Sequence, residues 1–345
     1  MWARAGMSGL VGLLLAGAVM AQPTIKHLDF ADLDGWADDD HQAALSVFQN
    51  TCGDIRDQEW ESLCALAADV TDAKAFFEVF FQPVIFEDGE EMLFTGYYEP
   101  EIRGALNRGG LYQHPIYRVP DDLIVGETYL SRRELEESEA LADKGLEIAW
   151  LADPVDRFFL QVQGSGRIIL PNGNRIRVGY GGKNGREYSS IGLELVNRGT
   201  FEAHQVSADV IRNWVRNNPE EGRELLWTNE SYVFFREVNE VPADRGPLGA
   251  MNRSITEMRS IAVDPSITKL GAPVWIEKEG ETPLRRLMVA QDTGSAIKGA
   301  QRADIFFGTG DEAGRAAGRI KDGGRMVVLL PIQRAYAKLP DELIE

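Results

Sequence analysis

Short apolar runs separated by glycine, proline, asparagine and aspartate recur along most of the chain, and this pattern predicts mainly β structure with tight turns. The runs that predict strands are 92–106, 156–170, 175–182, 229–238, 259–265, 272–278, 285–291, 303–308 and 325–331. Between the second and third runs, the segment Pro171 to Asn174 (PNGN) is typical of a β-hairpin turn. The pattern therefore favours a mainly β fold class.

Helical spacing of apolar residues marks a smaller set of segments. Residues 38–82 are predicted to be helical, with Thr71 or Asp72 as the N-cap of a segment rich in aromatic residues and Pro83 as its end. Helices therefore precede most of the predicted strands.

Three later segments also predict helices. Ser131 followed by Glu134 has the spacing of a capping box, which opens a helix. Residues 207–220 predict a capped amphipathic helix that ends before a proline. Residues 311–324 predict a further helix. The last of these carries two glycines four positions apart on one face, where a neighbouring group can approach closely.

The first residues indicate an exported protein. Arg4 precedes an apolar run at 9–21 that ends in small residues, as in a cleavable signal peptide at 1–21. That run has 13 residues, too few to span a bilayer comfortably. No cysteine near the expected cleavage point can accept a lipid, so we expect a soluble exported protein. An uncleaved membrane anchor and an association with the outer membrane are the alternatives.

Charge and cysteine content narrow the possibilities further. The formal net charge is −18, which argues against nucleic acid as a partner because phosphate binding needs a basic face. Cys52 and Cys64 are the two cysteines of the chain, and in an oxidising compartment an even, nearby pair favours a disulfide. Two buried thiols are the alternative.

Several common catalytic patterns are missing from the sequence. The four histidines are scattered without metal-ligand spacing, there is no G-x-S-x-G nucleophile motif, and 161–168 (QVQGSGRI) lacks the lysine of a P-loop. A zinc enzyme is therefore not expected. In so acidic a chain, carboxylates are the favoured chemical groups.

Two aspartates near the C-terminus are candidates for that chemistry. Asp292 begins an Asp-Thr-Gly-Ser segment like that of an aspartic protease, but such an enzyme needs two of these turns and the chain has one. Asp292 is otherwise a turn residue. Asp304 lies among apolar neighbours, where burial raises a carboxyl pKa to the range of a general acid. An exposed strand-end aspartate is the alternative for Asp304.

Residues suited to binding sugars occur in segments that precede these two acids in the sequence. Tyrosines can stack on pyranose faces, and small polar side chains can bond hydroxyl groups. The candidates are Tyr97, Tyr98, Tyr117, Tyr180, Tyr188 and Tyr232, with Thr95, Gln161, Gln163, Ser165 and Asn229. Most tyrosines in β proteins serve packing, and only the clustering in 94–100, 161–166 and 229–235 raises the odds of a binding role.

The order of motifs between Leu93 and Pro331 resembles the membrane-bound lytic transglycosylase A (MltA) family, whose enzymes cut bacterial peptidoglycan. The matching segments are FTGYYEP, YRVP, FFLQVQGSGRI, VGYGGKNGREYSSIG, NESYVFFR, AVDP, VAQDTGSAIKGAQRADIFFG, AGRAAGRIKDGGR and VVLLP. The final part resembles the family's three-aspartate (3D) domain, with Asp264, Asp292 and Asp304 at its three acids. The Asp-Thr-Gly-Ser segment is then not half of a protease site.

The resemblance implies a particular architecture. A double-psi β-barrel would be built from 22–104 plus 242–345, together with the N-terminal helices. A smaller β-barrel domain would be inserted at 105–241, with the substrate groove between the two. Peripheral helices would complete a two-domain, mainly β protein.

The resemblance also implies a site and a reaction. Asp304 would be the sole acid and base of a non-hydrolytic cleavage between N-acetylmuramic acid and N-acetylglucosamine, without metal or cofactor. The residues implied to line the groove are Thr95, Tyr97, Gln163, Ser165 and Gly166. From their positions in the sequence, we expect Asp292 and Lys298 to organise the loop beside Asp304, and Asp264 to brace a turn.

The expected partners are peptidoglycan glycan strands, with contacts to other cell-wall enzymes as a further expectation for a monomeric chain. Two rival functions remain from the residues alone. One is a non-catalytic module that binds or loosens the cell wall through the same groove. The other is an aspartic protease, which would cut protein and not glycan.

Overall fold

The fold is described from a computed structural model, which covers residues 23–138, 140–142 and 144–337. The predicted signal peptide at 1–21 lies outside these residues. Along the described stretches, no helix combines the length and the apolar character needed to cross a bilayer.

Two sheets account for the strands of the described residues. The larger has nine strands in the order β1-β2-β15-β11-β12-β10-β13-β3-β14. Its strands are β1 Thr24–His27, β2 Phe81–Glu87, β3 Leu93–Glu99, β10 Ser260–Ala262, β11 Pro273–Lys278, β12 Leu284–Asp292, β13 Arg302–Thr309, β14 Lys321–Asp322 and β15 Gly324–Pro331. Both ends of the chain therefore contribute to one sheet, and β10–β12 and β13–β3 are its parallel pairs.

The smaller sheet has six strands in the order β5-β6-β4-β7-β8-β9. These are β4 Glu101–Ala105, β5 His114–Tyr117, β6 Glu147–Leu151, β7 Gly166–Ile169, β8 Arg175–Lys183 and β9 Val233–Glu237. The β7–β8 hairpin forms where the sequence predicts it, with Ile169 opposite Arg175. The mainly β class is confirmed. Among the described residues neither sheet closes on itself, so the two barrels stay predictions.

Helices cover the sheets at several points. They are α1 His41–Cys52, α2 Gln58–Ala67, α3 Ala73–Phe80, α4 Arg132–Glu137, α5 Pro154–Gln163, α6 Ile191–Asn197, α7 Ala208–Asn217, α8 Pro219–Trp227, α9 Asp311–Ala317 and α10 Ile332–Tyr336. The predicted caps are confirmed at Asp72 for α3, Ser131 for α4 and Ser207 for α7.

Three element boundaries differ from the sequence-based expectation. The run at 156–163 was expected as strand but belongs to α5, because Asp153 caps it and Pro154 fits its first turn. Its apolar residues also recur at helical spacing. The helical region does not reach 82, since β2 begins at Phe81 and pairs with β15. The helix after 310 ends at Ala317, and the chain then enters β14.

The close approach expected on this face is present at Gly314, whereas Gly318 is the C-cap of α9 and a Cβ there would meet only the Gly314 carbonyl oxygen. A Cβ built on Gly314 would lie 2.7 Å from the ring of Tyr98. Tyr98 belongs to β3, so this helix packs directly on the strand that carries the middle of the FTGYYEP motif. A side chain at 314 would push α9 away from the sheet.

Glu99 connects the two sheets at the end of β3. Its carboxylate is fully buried and lies 2.9 Å from Arg167 Nε of β7 and 2.8 Å from Arg177 Nε of β8. The hydroxyl of Thr309 in β13 donates to the same group at 2.8 Å. A buried ionic cluster thus links the six-stranded sheet to the nine-stranded one.

A disulfide between Cys52 and Cys64 joins α1 to α2, with 5.3 Å between the two Cα atoms. Replacing both cysteines with alanine is expected to lower the free energy of unfolding by about 3 kcal/mol, because the loop of 12 residues then gains freedom in the unfolded chain. Denaturant unfolding of the variant and of the reduced wild type checks this. Equal stability of oxidised and reduced protein would contradict it.

Candidate active site

One row of paired residues crosses the nine-stranded sheet and brings the predicted acids onto one face. Ala262 of β10 pairs with Asp292 of β12 on one side and with Asp304 of β13 on the other. Asp304 in turn pairs with Thr95 of β3. Paired positions point to the same face of a sheet. With strands about 4.8 Å apart, the backbones of the two aspartates are about 10 Å apart.

Asp304 is a partly buried carboxylate held by a single hydroxyl. Thr95 Oγ1 donates to Asp304 Oδ1 at 2.7 Å, and Arg302 Nη2 donates to the same Oγ1 at 2.9 Å. Arg302 is itself anchored through Nη1 to the carbonyl oxygens of Leu93 and Ala303. Burial raises the pKa of Asp304 to about 6, against the opposing effects of Thr95 and Arg302. A group with that pKa can give and take a proton near neutral pH.

Asp292 faces the same space but is bonded differently. Its Oδ1 accepts from the backbone N–H groups of Ala250 at 3.0 Å and Thr293 at 2.9 Å. Its Oδ2 accepts from the hydroxyl of Tyr97 at 3.0 Å. Burial raises the pKa of Asp292 to about 6 although these three donors oppose the shift. Both of its oxygens are therefore already engaged in holding the loop and Tyr97.

Asp264 lies behind the loop that follows Asp292. Its Oδ1 accepts from the N–H and hydroxyl groups of Ser266, and its Oδ2 accepts from the N–H of Gly299 at 3.1 Å. Burial acts to raise the pKa of Asp264, but these hydrogen bonds outweigh it and leave the pKa lowered. Lys298 is largely exposed, and its Nζ lies 4.0 Å from Asp264 Oδ1. Asp264 thus fastens its own turn to the loop.

The row of acids forms part of the wall of a cavity of ≈ 180 Å³. Of the residues predicted to lie at the site, Tyr97, Gln163, Asp292 and Asp304 line it. Thr95 lies next to it through its bond to Asp304. Loop residues 293–297 and the helix residues Gln161 and Val162 form other parts of the wall.

Two predicted groove residues are placed differently. The walls of this cavity, as the described residues form them, do not include Ser165 or Gly166. Gly166 is buried, and a Cβ on it would overlap the side chain of Leu160. The structure gives Gly166 a packing position, where glycine lets β7 approach α5.

Two arginines of the cavity wall were missed by the sequence analysis. Arg302 lies two residues before Asp304 on the same strand, and this spacing alone places both on one face. Arg132 is buried and bonds Gln161 Oε1 at 2.6 Å and the carbonyl oxygens of Asn229 at 2.9 Å and Ser231 at 2.6 Å. No sequence signal identifies Arg132, because its partners come from distant segments.

The side-chain partners also narrow the list of sugar-binding candidates. Gln161 and Asn229 are buried and bonded within the protein, and Tyr232 is fully buried. Tyr188 lines the cavity and Tyr180 is exposed. Within the described parts of the chain, no three His, Cys, Asp or Glu side chains are grouped as metal ligands would be.

A second, larger cavity of ≈ 910 Å³ lies beside the six-stranded sheet. Its walls contain none of the three aspartates of the candidate site. The smaller cavity is the better candidate for catalysis, because acids with raised pKa values converge there and volume alone supplies no chemistry.

Family models match two stretches of the chain. Residues 93–236 match the MltA specific insert domain and residues 259–330 match the 3D domain. A curated relative, the membrane-bound lytic murein transglycosylase A of Escherichia coli strain K12, is 39% identical over 247 residues. That match covers 68% of this chain and 65% of the relative, so the chain matches somewhat less than two thirds of the relative's length.

Solved structures are similar over most of the chain. The crystal structure of a membrane-bound lytic murein transglycosylase from Agrobacterium tumefaciens has a TM-score of 0.83 and 31% identity, covering 91% of this chain and 99% of that one. The crystal structure of Escherichia coli MltA with bound chitohexaose has a TM-score of 0.69 and 31% identity, covering 90% of this chain and 92% of that one. At 31% identity these structures are similar to this chain in sequence as well as in fold.

Proposed function

The chain belongs to the MltA family and carries a 3D domain, and on that premise we propose that it is a peptidoglycan lytic transglycosylase with Asp304 as its acid and then its base. The bond cleaved is the β-1,4 linkage between N-acetylmuramic acid and N-acetylglucosamine. The product is a 1,6-anhydromuramic acid end, formed without water.

Asp304 acts twice in this reaction. In its neutral form it protonates the glycosidic oxygen, which leaves with the N-acetylglucosamine. The resulting carboxylate takes the proton of the C6 hydroxyl of N-acetylmuramic acid, and that oxygen closes on C1. The proton count balances, since Asp304 ends as it began. The nucleophile belongs to the substrate, which converts a bimolecular attack into an intramolecular one.

The single observation that carries this assignment is the difference between the two acids of the cavity. Asp304 accepts one hydroxyl hydrogen bond, from Thr95, on one oxygen. Asp292 accepts three donors and has both oxygens engaged. A hydrolase of the usual kind needs a second carboxylate to activate water or attack the sugar. Asp292 instead holds Tyr97 and the loop, which supports a mechanism with one acid.

Relatives support glycan strands as the substrate. The Escherichia coli MltA crystal structure is of a complex with chitohexaose, a glycan. In this chain we place the strand along the cavity, in contact with Tyr97 and Gln163. We further propose that the nine-stranded sheet is the double-psi barrel of 22–104 plus 242–345, and that 105–241 is an inserted domain. The groove lies between them.

The curated relative is named as membrane-bound, which is consistent with a place in the cell envelope. For this chain we propose the periplasm, reached through a cleavable signal peptide. A monomer acting on peptidoglycan, with contacts to other cell-wall enzymes, remains the expected arrangement.

Digestion of purified peptidoglycan tests the proposed function. The exported protein is expected to release soluble fragments from intact sacculi, and a casein substrate is expected to stay uncut. Binding to sacculi without any release would instead favour the non-catalytic wall-binding module. Cleavage of casein with no attack on sacculi would favour the protease.

Burial raises the pKa of Asp304, and the hydroxyl of Thr95 limits that rise, so the hydroxyl affects the pH range of the proposed reaction. Activity requires protonated Asp304, so kcat/KM falls as the pH rises through its pKa of about 6. Thr95 stabilises the ionised form, so Thr95→Val is expected to raise that pKa and move the basic limb up by about one pH unit. Thr95→Ser keeps the hydroxyl and should leave the limb in place. If the basic limb does not move in Thr95→Val, it reflects the ionisation of a group other than Asp304.

A further inference from the structure

The larger cavity is a cleft of ≈ 910 Å³ between the β5–β6 edge of the smaller sheet and helices α4, α7 and α8. It lies at the N-terminal end of α5, whose C-terminal end reaches the cavity of the acids. The proposed reaction uses none of the side chains in its walls.

Much of the charge in this cleft is already neutralised. Arg157 is buried and lies 2.8 Å from Glu136, and Arg216 lies 2.6 Å from Asp153. Such pairs fix the walls and leave little charge for a ligand. The N–H of Arg157 Nε is buried and has no hydrogen-bond partner among the described residues.

Two other arginines and one glutamate of the cleft have no such partner. Arg108 lies over the ring of Trp150 at 5.4 Å, and Arg223 lies over the ring of Trp227 at 5.5 Å. In the described portion of the chain, no carboxylate lies within 4.0 Å of either guanidinium, and no basic group lies within 4.0 Å of the carboxylate of Glu147. Glu137 and Glu224 also line the cleft, and both pair with Arg133. Among the charged side chains of these walls, Arg108, Arg223 and Glu147 are thus the ones without an ion-pair partner in the described chain.

The stacked arginines also limit the class of ligand. Guanidinium groups lie over both indoles of this cleft, so at least one face of each ring is not open to stacking by a sugar. An arginine that lies over an aromatic ring can still donate its N–H groups to a carboxylate. Arg108 uses Nε to donate to Gln113 Oε1 at 2.9 Å, which leaves its two terminal nitrogens for a ligand. A ligand with at least two carboxylates and one ammonium complements the three groups without an ion-pair partner.

We propose that this cleft binds the peptide that peptidoglycan carries on its muramic acid, through the carboxylates of that peptide at Arg108 and Arg223 and its free amine at Glu147. This inference rests on the proposed function, since it takes peptidoglycan as the substrate. The cleft would then select glycan strands that still bear peptides.

The walls of the two cavities approach each other along α5. Arg157 of the cleft and Gln163 of the acid cavity are six residues apart on α5, which corresponds to about 9 Å along the helix axis. A fully extended tetrapeptide spans about 13 Å. Glu136 also joins the two walls, since its carboxylate lies 2.8 Å from Arg157 and 3.4 Å from Arg132.

A KM comparison tests the proposal with two substrates, peptide-bearing glycan strands and strands from which the peptides have been removed. The wild type is expected to show a KM about tenfold lower for the peptide-bearing strands, from charge-assisted bonds at two arginines. The double variant Arg108→Gln, Arg223→Gln should lose this difference while its KM and kcat on bare strands stay unchanged. Arg198→Gln, which removes a surface pair with Glu194 on α6, is the matched control and should behave as the wild type.

A binding measurement separates this proposal from the proposed function. Titration with a free tetrapeptide stem should shift the indole N–H signals of Trp150 and Trp227 in NMR spectra, and the same peptide with amidated carboxylates should not shift them. Equal KM values for the two glycans in the wild type, or unshifted indole signals, would overturn the peptide site. Inactivity on every glycan together with shifted indole signals would overturn the proposed reaction and leave the peptide site standing.

Discussion

Asp304→Asn is expected to reduce peptidoglycan cleavage by about 10²–10⁴-fold, the usual contribution of a positioned proton donor and acceptor. Asparagine keeps the size of the side chain and still accepts from Thr95. It cannot deliver a proton to the glycosidic oxygen or remove one from the C6 hydroxyl. The rate of soluble fragment release from sacculi, at equal protein concentration, measures the loss.

The free energy of unfolding shows whether a loss of activity in Asp304→Asn arises from misfolding. The pKa of Asp304 is raised from 3.8 to about 6 in the folded protein, so its contribution to stability is fully present below about pH 4 and is lost as the pH rises through 6. At pH 7 the buried carboxylate is a cost. Asp304→Asn should therefore raise the free energy of unfolding at pH 7, by about 1–2 kcal/mol after allowance for its partial exposure.

A comparison with Asp292→Asn tests which of the two aspartates is the catalytic acid. Asp292 holds Tyr97 and two backbone N–H groups, so its replacement should disturb binding and loop order more than proton transfer. Full activity in Asp304→Asn with loss in Asp292→Asn would contradict the assignment and make Asp292 the catalytic acid.

Glu99→Gln is expected to lower the free energy of unfolding by about 3–5 kcal/mol, the usual cost of breaking a buried ion pair from one side. The change is almost isosteric, but it leaves the guanidinium groups of Arg167 and Arg177 without their negative partner. Those arginines belong to the smaller sheet and Glu99 to the larger one. Denaturant unfolding at pH 7 measures the effect.

Glu101→Gln is the matched control for this change. Glu101 is two residues further along the chain, and it lies 3.4 Å from the exposed guanidinium of Arg175. Exposed pairs of this kind contribute about 1 kcal/mol or less. If Glu99→Gln costs no more than Glu101→Gln, the link between the two sheets does not depend on the buried cluster.

The sequence predicts some of these features because their causes are local. The apolar neighbours of Asp304 predict a raised pKa, and the structure agrees. Asn-Gly at the β7–β8 turn and the caps at Asp72, Ser131 and Ser207 depend on residues within a few positions.

Other features depend on residues that are distant in the sequence. The raised pKa of Asp292 arises from burial under Tyr97 and the segment at Ala250, and neither can be located without the fold. The strand expected at 156–163 shows a different limit. A run of phenylalanine, leucine and valine fits both a buried strand and an amphipathic helix, and the N-cap Asp153 decides for the helix.

Mass spectrometry of the glycan ends released in oxygen-18-labelled water tests the central claim most directly. If the C6 hydroxyl of the substrate is the nucleophile, the muramic acid ends will be 1,6-anhydro rings without label, and Asp304→Asn will not produce them. Reducing ends that carry the heavy oxygen would show that water attacks C1. Such a result would contradict the mechanism with one acid and would require a second carboxylate, with Asp292 the first to be tested.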